Sequence, residues 1–242
     1  MDALIYTLMS GAERSLRAQE VHANNLANVE TGGFRADLET ATSQAVTKGY
    51  GYDARHMSRL VANAVDGREG PVHETGRDLD ASVSGQGYFA VQVKTGEAYT
   101  RAGAFAVDAS GALTLNDLPV IGDGGPIVLP PYTSLHIASD GTISVQAPGQ
   151  STMQPADKLK LVKAPASALA KNESGLLVAR SGQPLEADDT VTVQSGHLEG
   201  SNVSAVEEMV STMSLSRDFE IQMKLFNAAD TMADAGNKLV GA

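Results

Sequence analysis

Apolar positions in the first 28 residues recur at alternating intervals of four and three. Ile5, Met9, Ala12, Leu16, Gln19, Ala23 and Leu26 make one seam, with Gln19 its single polar member, and Glu13, Arg14, Arg17 and Glu20 fall off it. This spacing predicts an amphipathic helix with a heptad-like face over about residues 3–28. Thr31-Gly32-Gly33 then stops the helix, as glycines just past a helix end do.

The last segment, Ser204 to Val240, is a longer version of the same pattern. One seam runs Leu215, Phe219, Gln222, Phe226, Ala229, Ala233, Gly236, Val240, and a second runs Ile221, Leu225, Ala228, Met232, Ala235, Leu239. Two adjacent seams make an apolar face wider than one partner helix covers. The helix would be roughly 50 Å long. Ser204, with Glu207 three positions on, has the form of a capping box at its entry. The two terminal helices are expected to pair within the chain, and the doubled seam predicts that they also pack on neighbouring subunits.

Between about residues 77 and 197 the period falls to two. Phe89, Val91 and Val93 alternate with other side chains, as do Leu135 with Ile137, Ile143 with Val145, Leu159 with Leu161, and Val191 with Val193. Turn signals punctuate these runs: Gly85-Gln86-Gly87, Thr95-Gly96, Ser110-Gly111, Gly122-Asp123-Gly124-Gly125 and Asp140-Gly141. They predict an antiparallel β domain of many short strands, a distorted barrel or sandwich. Residues 36–75 are rich in Ala, Thr, Gly and charge, with little periodicity, and read as an extended connector. The expected fold is α+β. Residues 1–35 and 199–242 form a coiled-coil-like helical domain, 36–75 the connector and 76–198 an inserted all-β domain.

One stretch resists this scheme. In "HANNLANVETGGFRAD", His22 to Asp37, three asparagines are set into the end of a good helix, although asparagine competes with the backbone for hydrogen bonds. Asn24, Asn25 and Asn28 either meet polar neighbours and fix register in an assembly, as one buried Asn does in a coiled coil, or face solvent, with Asn28 capping the helix.

Composition narrows the functional classes. The 242 residues carry a formal net charge of −11 without a Lys/Arg cluster, which argues against nucleic-acid binding. Cysteine is absent, so disulfides, thiolate metal sites and Cys nucleophiles are excluded. The opening "MDALIYTLMSGAERSLRAQ" lacks a basic n-region and its apolar run from Ala3 to Met9 is short, so no cleavable leader and no membrane insertion are expected.

Candidate chemistry is sparse. His22, His56, His73, His136 and His197 show no metal-ligand spacing. "VIGDGGPI" lacks the glycine placement of a dinucleotide loop and reads as a β turn. Asp78 and Asp80 form a lone DxD beside Gly76, more a turn or strand-edge feature than an acid/base pair. Asp140-Gly141 lacks the spaced acids of a calcium loop, and Ser84 in "SVSGQG" lacks the glycine that a nucleophile elbow needs. No catalytic, cofactor-binding or metal-binding residue is expected, and the chain reads as a non-enzyme.

"ANNLAN", Ala23 to Asn28, followed by Thr31, Gly33, Phe34 and Arg35, resembles the N-terminal signature of the bacterial flagellar rod and hook family. "TGRDLDASVSGQGYFAVQ", "AYTRAGAF", "ASDGTIS", "LKLVK" and "LEGSNVSAVEEMVSTMSLSRDFEIQMK" extend the resemblance over nearly the whole chain. Within the family, the short connector and the "GDGGPI" and "LKLVK" segments look most like its proximal-rod branch. The resemblance implies an axial subunit of the flagellar drive shaft, exported unfolded by the flagellar type III apparatus and assembled in the periplasm. Its terminal helices would build an inner tube with copies of itself and other rod proteins, and its β domain an outer layer. The assembly interface expected on these grounds comprises Ile5, Met9, Leu16, Asn24, Asn25, Leu26, Asn28 and Phe34, with Leu215, Phe219, Met223, Phe226, Met232 and Leu239. Alternatives are a distal-rod or hook position, or a ligand-binding β module on a helical stalk. Helices ordered only in the polymer would mark the rod reading.

Overall fold

The computed structural model describes residues 2–45 and 56–240, with side chains at 6–39, 64–236 and 238. Both terminal periodicities become helices: α1 runs Asp2–Ala27 and α2 Ala205–Val240. Ser204 caps α2, its hydroxyl accepting from the Glu207 N–H at 3.4 Å and its carbonyl from the Glu208 N–H at 3.0 Å. Glu207 and Glu208 in the first turn and Lys238 in the last suit the helix dipole.

The chain divides into two compact units. The helix unit holds residues 1–27, 37–64 and 204–242, and the β unit holds 28–36 and 65–203. Part of the segment read as a connector is regular: β1, Asp37–Ala45, and β2, His56–Val65, form a two-stranded sheet.

In the β unit no barrel closes among the described residues. Its strands are two to seven residues long and lie in separate sheets. The largest sheet has five strands in the order Leu161–Lys163, Gly87–Val93, Gly96–Thr100, Leu177–Ala179, Leu169–Lys171, every neighbour antiparallel. Two three-stranded sheets and several strand pairs surround it. The expected barrel does not close because turns interrupt the ladder every few residues, and strands this short cannot carry it around a closed wall. Asp140-Gly141 shows the device: Gly141 takes a φ of +84°, where a side chain would be strained, and Asp140 accepts from the N–H and hydroxyl of Thr142.

The period-two pattern does place the core. Along Gly87–Val93, Phe89 and Val91 enter one apolar cluster with Phe105, Ile127, Ile143 and Leu159, while Tyr88 and Ala90 enter another with Tyr99, Val162 and Leu169. The strand is therefore buried on both faces. Phe89 and Phe105 meet edge to face, their ring centroids 5.1 Å apart.

Candidate assembly site

In the helix unit α1 and α2 pack against each other. The packed line on α1 is not the large-residue seam. Ser15, Ala18 and Asn25 are buried there, with Leu8, Gly11, Ala12, Gln19 and His22 half-buried on the same side. Of the predicted seam members, Met9 and Leu16 are exposed and Leu26 is half-buried. The offset has a steric cause. A Cβ on Gly11 would meet the Gln222 side chain at 3.1 Å, and small residues let the helix axes approach where Met or Leu would hold them apart. On α2 the first predicted seam does face inward. Leu215, Phe219, Gln222 and Phe226 are half-buried, Ala229 is buried, and the Gln222 amide donates to Ser15 Oγ at 3.4 Å.

Among the described residues of this unit Asn25 is the most enclosed polar group, 1% exposed. Its Oδ1 accepts from the Asp37 N–H at 2.8 Å, and its Nδ2 donates to the Asp37 carbonyl at 3.0 Å and to Glu208 Oε1 at 3.1 Å. The carboxamide thus copies the exchange of a peptide group with the first residue of β1 while holding α2. His22 Nδ1 lies within hydrogen-bond reach of the other Glu208 oxygen. The exposed Asn24 donates to the Asp37 carboxylate at 3.0 Å, and Arg14 pairs with Glu39 at 3.0 Å. Asn25 therefore spends its hydrogen bonds inside the subunit rather than on solvent.

Large apolar side chains lie on the outside. Met209 and the stripe Val206, Val210, Met213, Ile221, Leu225, Met232 on α2 are exposed, Met232 by 67%, as are Tyr6, Met9 and Leu16 on α1. Met223 is 39% exposed, and it comes together with Met9 and Phe226 across the two helices. The side chains of Ile5 and Leu239 lie outside the described residues.

The β unit holds the other two predicted positions. Asn28 and Thr31 close a turn, the Asn28 carbonyl and Oδ1 accepting from the Thr31 N–H and hydroxyl, each at 3.1 Å. Phe34 lies under the Lys171 ammonium, 3.7 Å from its ring centroid. Next to Phe34 is a group that the pattern reading passed over. Arg35, Arg101 and Glu199 are buried together at 3%, 1% and 2% exposure. Glu199 Oε1 takes Arg35 at 2.8 Å and the Gly70 N–H at 2.8 Å, its Oε2 lies 3.1 Å from Arg101 Nε, and its carbonyl takes the Gly33 N–H at 2.8 Å. Arg101 also donates to the carbonyls of Val83 and Gly85 and has the Tyr88 ring 5.6 Å away. Burial lowers the Arg101 pKa, and Glu199 acts against that shift. Gly33 is obligatory, because at its φ of +69° a Cβ would sit 2.1 Å from the Ala102 nitrogen.

Asn202 completes the junction. Its side chain accepts from the Ala36 N–H at 2.7 Å and donates to the Arg68 and Asp66 carbonyls at 2.9 and 3.3 Å. The motifs "GFR" and "LEGSN" are thus the two halves of one buried lock where chain segments enter and leave the β unit. The only sequence hint is charge inside motif text; 164 residues separate Arg35 from Glu199, so spacing carries no signal.

Asp78 and Asp80 do not form a pair. Asp78 is exposed, while the buried Asp80 is held by the Thr75 hydroxyl at 2.7 Å and Arg77 at 3.0 Å. No described helix is long and apolar enough to cross a membrane.

Comparison with known proteins adds three family matches. Residues 5–35 match the flagella basal body rod protein family, 82–145 the flagellar hook protein FlgE/F/G D1 domain, and 194–239 the flagellar basal body rod FlgEFG protein C-terminal family. The chain is 40% identical to the flagellar basal-body rod protein FlgF of Escherichia coli over 99% of both chains. It is 39% identical to that of Salmonella typhimurium, again over 99% of both. With the basal-body rod protein FlgG of Bacillus subtilis it shares 30% identity over 93% of this chain and 94% of that one.

Proposed function

The chain belongs to the FlgF family of flagellar basal-body rod proteins and is a structural subunit of the rod, and from that premise we propose that it polymerises through its terminal helices into the proximal part of the axial drive shaft. Family membership implies assembly with other rod components at the flagellar basal body, in a non-enzymatic role. The finer reading is that the partners are neighbouring rod proteins and copies of this chain. Delivery would be by the flagellar type III apparatus, without a cleavable leader, into the periplasm. Identities of 40% and 39% to the FlgF proteins of Escherichia coli and Salmonella typhimurium, against 30% to the FlgG of Bacillus subtilis, favour the proximal position over the distal one.

One observation carries the polymerisation reading. The helix unit exposes a stripe of large apolar side chains, and a contiguous exposed apolar surface marks an interaction site. The doubled seam of α2 has one half turned to α1 and the other half uncovered. Torque then passes between subunits through packed helices. The test is Ile221→Asp in the full chain, scored by secretion, β-unit stability and motility. Ile221 is 54% exposed, so the substitution spares the subunit's own packing. Secretion and β-unit stability are expected to hold while motility is lost. Normal swimming would remove the stripe from the assembly interface.

A further inference from the structure

Methionine is among the residue types most often buried, where its flexible thioether fills gaps in a core. This chain uses it the other way. Six of its eight methionines have described side chains, and all six are exposed, from 39% at Met223 to 67% at Met232. Neither apolar cluster of the β unit contains one. Five of the six, Met9, Met209, Met213, Met223 and Met232, stand on α1 and α2. Met209 and Met213, four apart, share one face of α2 with the exposed Val206 and Val210. The sequence has no cysteine and no tryptophan, so the thioether is the most readily oxidised group it carries.

We propose that these helix methionines are an oxidation site through which hydrogen peroxide withholds a free subunit from the rod. A thioether lone pair takes the distal oxygen of the peroxide, and an S–O bond forms as the O–O bond breaks. The proton on that oxygen passes to the departing hydroxide, which leaves as water. Sulfur loses the two electrons that the peroxide gains. The product is a sulfoxide, polar where the thioether was apolar. On the face formed by Val206, Met209, Val210 and Met213 it places an acceptor that an apolar covering surface would leave unpaired. A subunit already covered by neighbours shields its sulfurs. Sulfoxide reductases restore the thioether, so the block is reversible. The inference rests on the polymerisation reading and adds its regulation by redox state.

The purified full-length chain is treated with hydrogen peroxide, folded and in urea, and sulfoxide at each methionine is followed by mass spectrometry of its peptides. Met209, Met213 and Met232 should react as fast in the folded chain as in urea, and a large slowing at all three on folding overturns the site. In cells, expression is induced during a sublethal peroxide pulse and basal bodies are counted. The wild-type chain should lose them. A chain with Met9→Leu, Met209→Leu, Met213→Leu, Met223→Leu and Met232→Leu keeps apolar faces of similar volume and should keep its basal bodies. Met153→Leu, in the β unit, should protect nothing. Met209→Gln with Met213→Gln imitates two sulfoxides and should remove basal bodies without peroxide. Undiminished numbers in wild type, equal losses in wild type and the five-leucine chain, or normal numbers with the glutamine pair overturn the inference. If the five-leucine chain fails to assemble without peroxide, Met209→Leu with Met213→Leu takes its place and is read in the same way. The Ile221→Asp test keeps the two readings apart. Loss of motility there without protection by leucine sinks the oxidation site alone, and normal motility there sinks the polymerisation reading with it.

Discussion

The two units of this chain solve burial in opposite ways. In the β unit, Phe89, Phe105, Ile127 and Ile143 are completely enclosed, and a lock of two arginines and one glutamate is sealed with them. In the helix unit the buried described side chains are Ser15, Ala18, Asn25 and Ala229, small or polar, while large apolar ones face outward. Of the fifteen large apolar residues exposed among those described, only Val72, Val128 and Met153 belong to the β unit. Apolar burial is the dominant favourable term in folding. The β unit therefore carries its stability within itself, and the helix unit leaves most of its large apolar side chains uncovered in the single chain. This difference is the one that the proposed polymerisation through the helices requires.

The comparison breaks most easily at Glu199. Removing its carboxylate with Glu199→Ala leaves Arg35 and Arg101 buried without their shared anion, a loss of about 3–5 kcal/mol. Urea unfolding followed by tyrosine fluorescence should show the β unit greatly weakened. A fragment of residues 76–198 lacks Arg35, the Gly70 N–H and Glu199 together, and should fail to unfold cooperatively. Wild-type stability in Glu199→Ala would mean that the lock contributes nothing and that the apolar clusters alone hold this unit.

Next in size is Asn25→Leu. Leucine is the better helix former and adds apolar area, yet it strands the Asp37 peptide groups and the Glu208 carboxylate, at about 1–3 kcal/mol for each group left unsatisfied. Hydrogen exchange should accelerate through α1, with the β-unit transition unmoved. Asn24→Leu, at an exposed position, should have a much smaller effect. Equal effects at the two positions would show that burial does not separate them.

These residues also show what the sequence makes legible. Helix limits, turns and the alternation that places Phe89 and Val91 in a core are local properties, and they read directly from spacing and glycine. The side of α1 that packs on α2 is offset by one position from the seam that holds Met9 and Leu16. Pattern reading weights Met9 and Leu16, whereas close approach selects Gly11, Ser15 and Ala18, whose virtue is small size. The pairing of β1 with β2 inside an aperiodic segment, and of Arg35 with Glu199, depends on contacts remote in sequence. No period encodes them. Asn25 stands out in the sequence as a polar residue near a helix end, but its partners, Asp37 and Glu208, depend on contacts remote in sequence.

Acid offers a gentler way to separate the units. Burial opposes the charge of Asp66, yet hydrogen bonds and charge from Arg68 hold its carboxyl below the ordinary aspartate value. The turn aspartates are lowered as well, Asp108 by Ser110 and Ala112, Asp140 by Thr142, and Asp188 by Thr190. All four lie in the β unit. A carboxyl lowered in the folded state leaves the unfolded state to bind protons first. The stability it contributes is therefore complete above about pH 5 and drains away as pH falls below the ordinary value near 3.9. The β-unit melting temperature should be level near neutrality and drop in acid, less steeply in Asp66→Asn. A β unit that gained stability in acid would reverse the argument.

The smallest effect on the subunit belongs to the outer stripe, and there the comparison is sharpest. Val210 and Met213, 61% and 58% exposed, stand on α2. Replacing both with glutamine, itself a good helix former, removes apolar surface that the lone chain never buries. Substitutions away from buried features stay within about 0.5 kcal/mol, so unfolding of the purified monomer should be indistinguishable from wild type. The same pair should abolish incorporation into the rod, because the surface it removes is what neighbouring copies would cover. Counting basal bodies by electron microscopy beside the monomer melt reads both quantities on one protein. An unchanged melt with missing rods confirms a helix unit built for its neighbours. A destabilised monomer would show instead that the stripe already serves the chain's own fold, and the contrast between the units would shrink accordingly.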